Sequence, residues 1–493
     1  MRTCVQEEIS FKFGVPFDEC QFILDAPSLP FFLVAYFPLV MWVLDGDNVN
    51  FTLTISFAGW RTEAKAKRVS LLCLLEGRRR LVLSKSRPHN PRRWWVRPTL
   101  EHHDDMGPWC TIIPIMKEQD PEMFYSMFRM TPEAFDRLLV LIEPHVTKKA
   151  WRKVIPPGER LAITLRYLAT GQTFTQLMHY FLVSEETISK IVFETTSVIW
   201  TVLEPLVFET PTQEAWLRVA SEYEAMWQVP HCIGGVDGKH IRLQQPARSG
   251  SKNFNYKGFH SIILMVVADA KSKILIADAG ASGRRGDGNV FHRSSLGRRM
   301  RRKALNIPPP CPVEGMELES TPFFMVGDAA FGRSVNMVTP FKGKFLPPAE
   351  RIFNYRISRA RKNVENTFGI MRKRYEVLDR PMQTDVVSST STVLACCALH
   401  NYHLQDVKSV PPKSKREVRG EYCDQIGENG EVIYGRYSNE DPVKEREILE
   451  RLRGEVAEAG EDTDVSKEEF IESLVTYFVE NPLPWQLQSA YML

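Results

Sequence analysis

The sequence has nine cysteines, at 4, 20, 73, 110, 232, 311, 396, 397 and 423, but no CxxC pair and no repeated spacing among them. That argues against a disulfide framework or a zinc ribbon and suits a reducing compartment. No early apolar segment of the secretory type is present, since Glu7 and Glu8 follow closely on Met1. The GxxxxGK(S/T) loop that cradles nucleotide phosphates is missing, so no nucleotide site is expected. Net charge is nearly absent as well: 63 Lys+Arg against 60 Asp+Glu leave +3, which taken whole suggests no polyanionic partner. The run Ala26–Leu44 is nineteen uncharged residues and touches the length of a membrane span. Its prolines 27, 30 and 38 and the flanking Asp25 and Asp45 point instead to a buried hairpin or to sequence outside the core fold, so no membrane partner is expected.

What is present is enough apolar material for real cores. Hydrophobic residues are 43% and aromatics 11% of 493 residues, a length that suggests two to four domains. The small net charge is a cancellation. Arg61–Arg97 holds twelve basic and two acidic residues, whereas Glu417–Glu472 holds seven basic and eighteen acidic ones. Arg284–Lys303 and Arg351–Arg374 each carry eight basic residues and one acid. Charge segregated into blocks marks interaction surfaces.

Four regions are expected. Residues 1–90 show no clear period. Residues 91–215 are helical: Thr131 before Pro132 opens a helix through Phe135, Leu138, Leu139 and Ile142. Glu159–Thr170 closes at Gly171, Phe174–Phe181 is a short helix, and Ser184 caps Glu185–Thr196. That succession is the pattern of a helix-turn-helix unit, although its last helix carries one Lys against three Glu and short packed helices are commonly only packing modules. Residues 216–405 turn to strands in HCIGGVDGKHIRL, HSIILMVVADA and KILIADAG, the first three pairing antiparallel, with TPFFMVG a fourth. Gly288–Leu305 reads as a basic helix and Asn354–Leu378 as a long one with Ile357, Ala360, Val364, Phe368, Met371 and Tyr375 on its apolar stripe. Residues 406–493 form an acidic tail with one late amphipathic helix, opened by a Ser466/Glu469 capping box and destined for the core or for a partner. Cys396, Cys397, His400 and His403 cluster in VLACCALHNYHL, which reads as an apolar helix before it reads as a metal site.

Three acids sit where a core does not want them. Asp237 follows IGGV at the end of the first strand, Asp328 follows FMVG at the end of the fourth, and Glu365 lies one position off the stripe of the long basic helix. Ionised carboxylates at the ends of apolar strands are costly unless paired or bound to metal. Converging carboxylates suit hard Mg²⁺ or Mn²⁺, and two such ions can activate a water or a 3′-hydroxyl against a phosphodiester. Around them Arg359, Arg361, Lys362, Arg372, Lys373 and Arg374, with Lys239 and Lys190, are candidates to hold a DNA backbone. The plainer reading makes Asp237 and Asp328 turn residues and pairs Glu365 with Arg361 four positions earlier.

At these residues the chain resembles the PIF/Harbinger transposases and the nucleases derived from them, within the DDE endonuclease superfamily. PHCIGGVDGKHIRLQQPARSGSKNFNYKGFHSIILMVVADA, FFMVGDAAFGRS, FNYRISRARKNVENTFGIMRKRYEVL and ALHNY carry the resemblance. RRWWVRP (92–98), FRMTPEAFDRLL (128–139) and ERLAITLRYLATG (159–171) extend it, so that it runs from about Arg92 to about His403. The resemblance implies an α/β fold, an RNase H-like mixed sheet flanked by helices and preceded by an all-α helix-turn-helix-like region. It implies a D-D-E triad at Asp237, Asp328 and Glu365 that binds a divalent metal cation, Mg²⁺ or Mn²⁺. A further acid, Asp287 in GRRGDGNVF, also fits a family position and is expected to be a turn or supporting residue, not a ligand.

The implied activity is metal-dependent cleavage of DNA, with strand transfer left open. The alternative is a domesticated, catalytically silent transposase acting as a DNA- or protein-binding factor. Implied partners are DNA and a separate Myb-like DNA-binding protein, with an oligomer open. The expected location is the nucleus.

Overall fold

The computed structural model describes residues 93–150, 154–247, 249–405, 442–458 and 465–483, together with strand segments at 10–11, 41–45, 48–52, 425–426 and 432–433. Residues 1–92 and 93–493 form two compact units. In the first, Met41–Asp45 and Asn48–Thr52 make an antiparallel hairpin, and Ser10–Phe11 pairs with the second of these strands. The end of the Ala26–Leu44 run is therefore strand; the rest of that run and the basic residues 61–92 lie outside the described residues. Among the described residues no helix is long and apolar enough to cross a membrane.

The second unit begins with helices. α1 (Ile112–Gln119), α2 (Pro121–Phe128) and α3 (Pro132–Val146) are short, and α3 opens where Thr131 Oγ1 accepts from the Ala134 N–H. α4 (Pro157–Thr170) stops at Gly171, whose φ of +59° is the left-handed conformation glycine supplies at a helix end. A side chain there would also press on the Val377 backbone, its Cβ 3.0 Å from Cα. α5 (Phe174–Phe181) has a full capping box between Thr173 and Gln176.

α6 is capped by Ser184 as its sequence implies, but it runs Glu185–Val207, eleven residues past Thr196. Its stripe simply continues: Ile199, Leu203 and Val207 are buried like Ile188 and Ile191 before them. α7 (Gln213–Trp227) has no counterpart in the strand-and-helix pattern read above.

β1 (Cys232–Arg242), β2 (Ser261–Ala268), β3 (Ile274–Ser282), β4 (Phe324–Gly327) and β5 (Met337–Val338) form one sheet in the order β3-β2-β1-β4-β5. β1, β2 and β3 are antiparallel neighbours, as their spacing implies, whereas β4 and β5 join parallel to β1. β2 is buried along its whole length because both sheet faces are covered. Ile262, Leu264, Val266 and Ala268 face a core shared with α1–α6, while Ile263, Met265 and Val267 face a second core with Trp216 and Phe291. The helical region and the sheet thus share one continuous core.

The basic stretch after β3 is two helices instead of one: α8 (Asp287–Arg293) and α9 (Ser295–Arg301). Ser294 breaks them apart, its Oγ accepting from the Gly297 N–H at 3.0 Å. The long helix α10 (Pro348–Arg374) starts six residues before Asn354 and gives way at Tyr375 to a 3₁₀ turn over Glu376–Leu378, with all six stripe residues buried.

α11 (Val386–Gln405) packs on α6 and β3, where Asn401 clamps both backbone groups of Ile274 at 2.9 and 2.7 Å. Beyond the undescribed 406–424, α12 (Pro442–Glu458) lies on α7, and α13 (Lys467–Glu480) lies on α10. α13 therefore docks on the core. Phe470 meets Phe324 with ring centroids 5.5 Å apart, Phe478 meets Phe353 at 6.0 Å, and Leu474 is fully buried. Its cap has Ser466 Oγ accepting from the Glu469 N–H at 3.1 Å.

Candidate active site

Asp237 does not end a strand, contrary to the sequence reading; β1 continues five residues beyond it, paired with β2. What ends there is the parallel pairing with β4, whose last matched pair is Val236 and Gly327. Asp237 follows Val236 on β1 and Asp328 follows the end of β4, so this register brings the two residues to the same level at the opening between β1 and β4.

Glu365 comes from α10, which crosses β1 closely at Gly235. A Cβ on Gly235 would lie 3.4 Å from Val364 Cβ and 3.3 Å from the Tyr223 hydroxyl, so the missing side chain lets the helix sit down on the strand. One position after Val364, Glu365 is half exposed at the edge of this contact. Arg361 joins the acids: its Nη2 donates to Glu365 Oε1 at 2.6 Å, and its Nη1 lies 3.9 Å from Asp237 Oδ2. The plain helical pair is present, and its guanidinium also faces Asp237.

A fourth acid converges here. Asp287 opens α8, and a Cβ on Gly238 would lie only 2.8 Å from its Oδ1. That oxygen is buried and accepts no hydrogen bond. Read from the sequence as a turn or supporting residue, Asp287 instead brings its carboxyl against the backbone next to Asp237. Beyond its fit to a family position, the sequence shows only an Asp-Gly pair there, which it does not distinguish from an ordinary turn.

Electrostatics follow from this crowding. Burial pushes the Asp237 carboxyl up to about 6; the Gly238 N–H, donating at 2.9 Å, and Arg361 pull it down, while Glu365 and Asp287 push it further up. Asp287 is raised by burial and by Asp328. Lys239 is lowered to about 8 by burial and by Arg372, its ammonium lying 5.4 Å from the Phe368 ring. Asp328 accepts from the Ala330 N–H, which fixes its rotamer at the turn. Partly dehydrated carboxylates, one with an unused buried oxygen, make a hard oxygen donor set that fits Mg²⁺ or Mn²⁺.

The candidate DNA contacts divide. Lys190, Arg372 and Lys373 are exposed, Arg372 also pairing with Asp379. Arg359 donates to the Trp227 carbonyl and to Gln228 Oε1, both at 2.8 Å, and its guanidinium lies 5.5 Å from the Trp227 ring. Arg374 is buried. Arg359 and Arg374 are thus placed as structural cations, and Lys362 is half-buried on α10.

Sequence reasoning passed over the loop after β1. There Tyr256 is 77% exposed with Lys257 near its ring, and Arg242 packs 4.6 Å from the Phe259 ring. Asn255 anchors this loop, its Nδ2 donating to Ser261 Oγ at 2.9 Å. Gly280 and Gly283 serve close packing: Cβ atoms there would collide with Thr390 and Ser261.

Residues 236–401 match the family described as DDE superfamily endonuclease, which includes all four acids, and residues 112–201 match a domain of unknown function. "Protein ALP1-like" of Arabidopsis thaliana is 25% identical over 57% of this chain and 70% of its own length. "Putative nuclease HARBI1" is 25% identical in Bos taurus and 24% in Homo sapiens, over 59% of this chain and 80% of each relative. No solved structure matches the chain.

Proposed function

We propose, for a chain that carries a DDE superfamily endonuclease domain and is related to Harbinger transposase-derived nucleases, that it is a divalent-metal-dependent DNA endonuclease of transposase origin. Asp237, Asp328 and Glu365 are its metal-binding acids. The observation that carries this reading is the register of β1 and β4, which sets Asp237 beside Asp328 under the helix that bears Glu365.

The strand order β3-β2-β1-β4-β5, with β2 antiparallel and β4 and β5 parallel to β1, supports an RNase H-like sheet. α4, α5 and α6 support a helix-turn-helix-like reading of the region before it. Mg²⁺ or Mn²⁺ held by the acids supplies an activated water or 3′-hydroxyl and a counter-charge for the leaving oxygen. The chain's own residues do the rest. Asp328, fixed by its turn, and Asp237, fixed by the sheet, present oxygens that need no reorganisation. Lys373, Arg372 and the Tyr256–Lys257 loop supply cations and an aromatic face for the DNA backbone and an unstacked base. We further propose nuclear location, with DNA and a Myb-like protein as partners.

Arg361 favours the second reading, a catalytically silent DNA- or protein-binding factor, because it already neutralises Asp237 and Glu365. Under the first reading Asp237, Asp328 and Glu365 would hold a metal ion, whose charge would take over from Arg361. A Mg²⁺-dependent nicking assay decides. Wild type should cut, and Asp237→Asn and Glu365→Gln should each lose at least about 100-fold, the scale of an electrostatic group acting at the reacting atoms. Cleavage that survives both substitutions unchanged overturns the triad. A wild type that binds DNA without cutting it establishes the silent reading.

A further inference from the structure

Just before β1, three side chains of different chemistry meet. His231 precedes the strand, six residues before Asp237, roughly 20 Å along an extended chain. It is fully buried, stacked 4.1 Å from the Phe323 ring. Its Nδ1 lies 3.0 Å from the Thr321 carbonyl oxygen. A carbonyl only accepts, so the proton sits on Nδ1 and Nε2 is an acceptor. The Cys311 thiol, its Sγ 3.5 Å away, donates to that nitrogen.

Glu455, on α12, completes the group, and the three ligand atoms all lie within 4.8 Å of one another. Ligands about 2.0–2.3 Å from one tetrahedral ion stand roughly 3.3–3.8 Å apart, so a small closure of this group suffices. An imidazole whose other nitrogen is held by a backbone carbonyl is the arrangement that orients a metal-binding histidine.

Charge favours a cation as well. Arg451 donates to Glu224 Oε1 at 2.5 Å and to Glu455 Oε1 at 3.2 Å, so two carboxylates share one guanidinium. Glu224 Oε2 is buried and has no hydrogen-bond partner, which makes it the candidate fourth donor. With a Cys311 thiolate the group sets three anions against Arg451 and Lys444, a net negative charge that favours a divalent ion. Thiolate and imidazole select zinc over magnesium.

We propose that His231, Cys311 and Glu455 form a structural zinc site that fastens α12, beyond the 406–441 segment, to the start of β1. It is separate from the carboxylate site and does not depend on it.

The test uses the full chain expressed with zinc in the medium and dialysed, with metal measured by elemental analysis and by titration of the stripped protein with Co²⁺. Wild type should hold about one zinc per chain, a closed structural site. Co²⁺ should give a near-ultraviolet thiolate-to-cobalt band. Cys311→Ser should abolish the band, Glu455→Gln should weaken Co²⁺ binding at least about tenfold, and Asp237→Asn should leave the band unchanged. Should Cys311→Ser fail to fold, the wild-type band and Glu455→Gln, on the half-buried edge of the group, still decide. A wild type without zinc and without the band overturns the proposal, as does a Glu455→Gln protein that binds as tightly as wild type.

Discussion

Asp237 is largely buried beside Glu365 and Asp287, with the Gly238 N–H, Arg361 and Lys239 favouring its charge, and its carboxyl is held near 6. A carboxyl raised in the folded state above its unfolded value of 3.8 makes the folded state bind the extra proton. Its contribution is therefore favourable below pH 4 and is lost as pH rises through about 6. In metal-free protein the loss is at most about 3 kcal/mol, two units at 1.36 kcal/mol each. Thermal melts of wild type and Asp237→Asn between pH 4 and 7 should diverge in that window, the variant gaining on wild type as pH rises. Asp287→Asn removes a neighbouring charge and should move the step to lower pH. Parallel melting curves for wild type and Asp237→Asn across the window would refute the placement of this carboxyl. At this scale the sequence singles out Asp237, Asp328 and Glu365 as candidates, because acids beside apolar runs are anomalous wherever they fall. The approach of Asp287 was not legible there: it needs the space over Gly238, forty-nine positions away along the chain.

Elements were legible where one face alone is buried. α3 and α10 follow their stripes, and the caps at Thr131 and Ser184 fall where the residues put them. α7 escaped because it is buried on more than one side, between β1 and α12. Ser221 and Glu222 are buried along with Trp216, Leu217, Val219 and Tyr223, which blurs any stripe. β5 escaped because two residues carry no period. The late helix α13 shows the converse: its amphipathic face was plain, its partner was not. Since Leu474 is fully buried against α10 and β4, Leu474→Ala should cost about 2–5 kcal/mol of stability in urea unfolding. A cost below about 0.5 kcal/mol would mean that the helix does not dock there in solution.

For the whole molecule, charge is a matter of placement. The sum of +3 conceals basic blocks and an acidic C-terminal region, and folding then divides the basic residues again. Arg359 and Arg374 turn inward while Lys190, Arg372 and Lys373 stay exposed. If the exposed ones meet phosphates, Lys373→Gln should lower DNA affinity at every sequence tested. It should also reduce the slope of log K against log salt by about one. An unchanged slope removes Lys373 from the interface. The sequence by itself determined the class of chemistry and most elements, since periodicity, caps and out-of-place acids are local properties of the chain. Only the tertiary structure decided which charges meet. The β1–β4 register, the seat of α10 on Gly235 and the return of α12 to His231 and Cys311 are contacts between distant segments, and no local pattern encodes them.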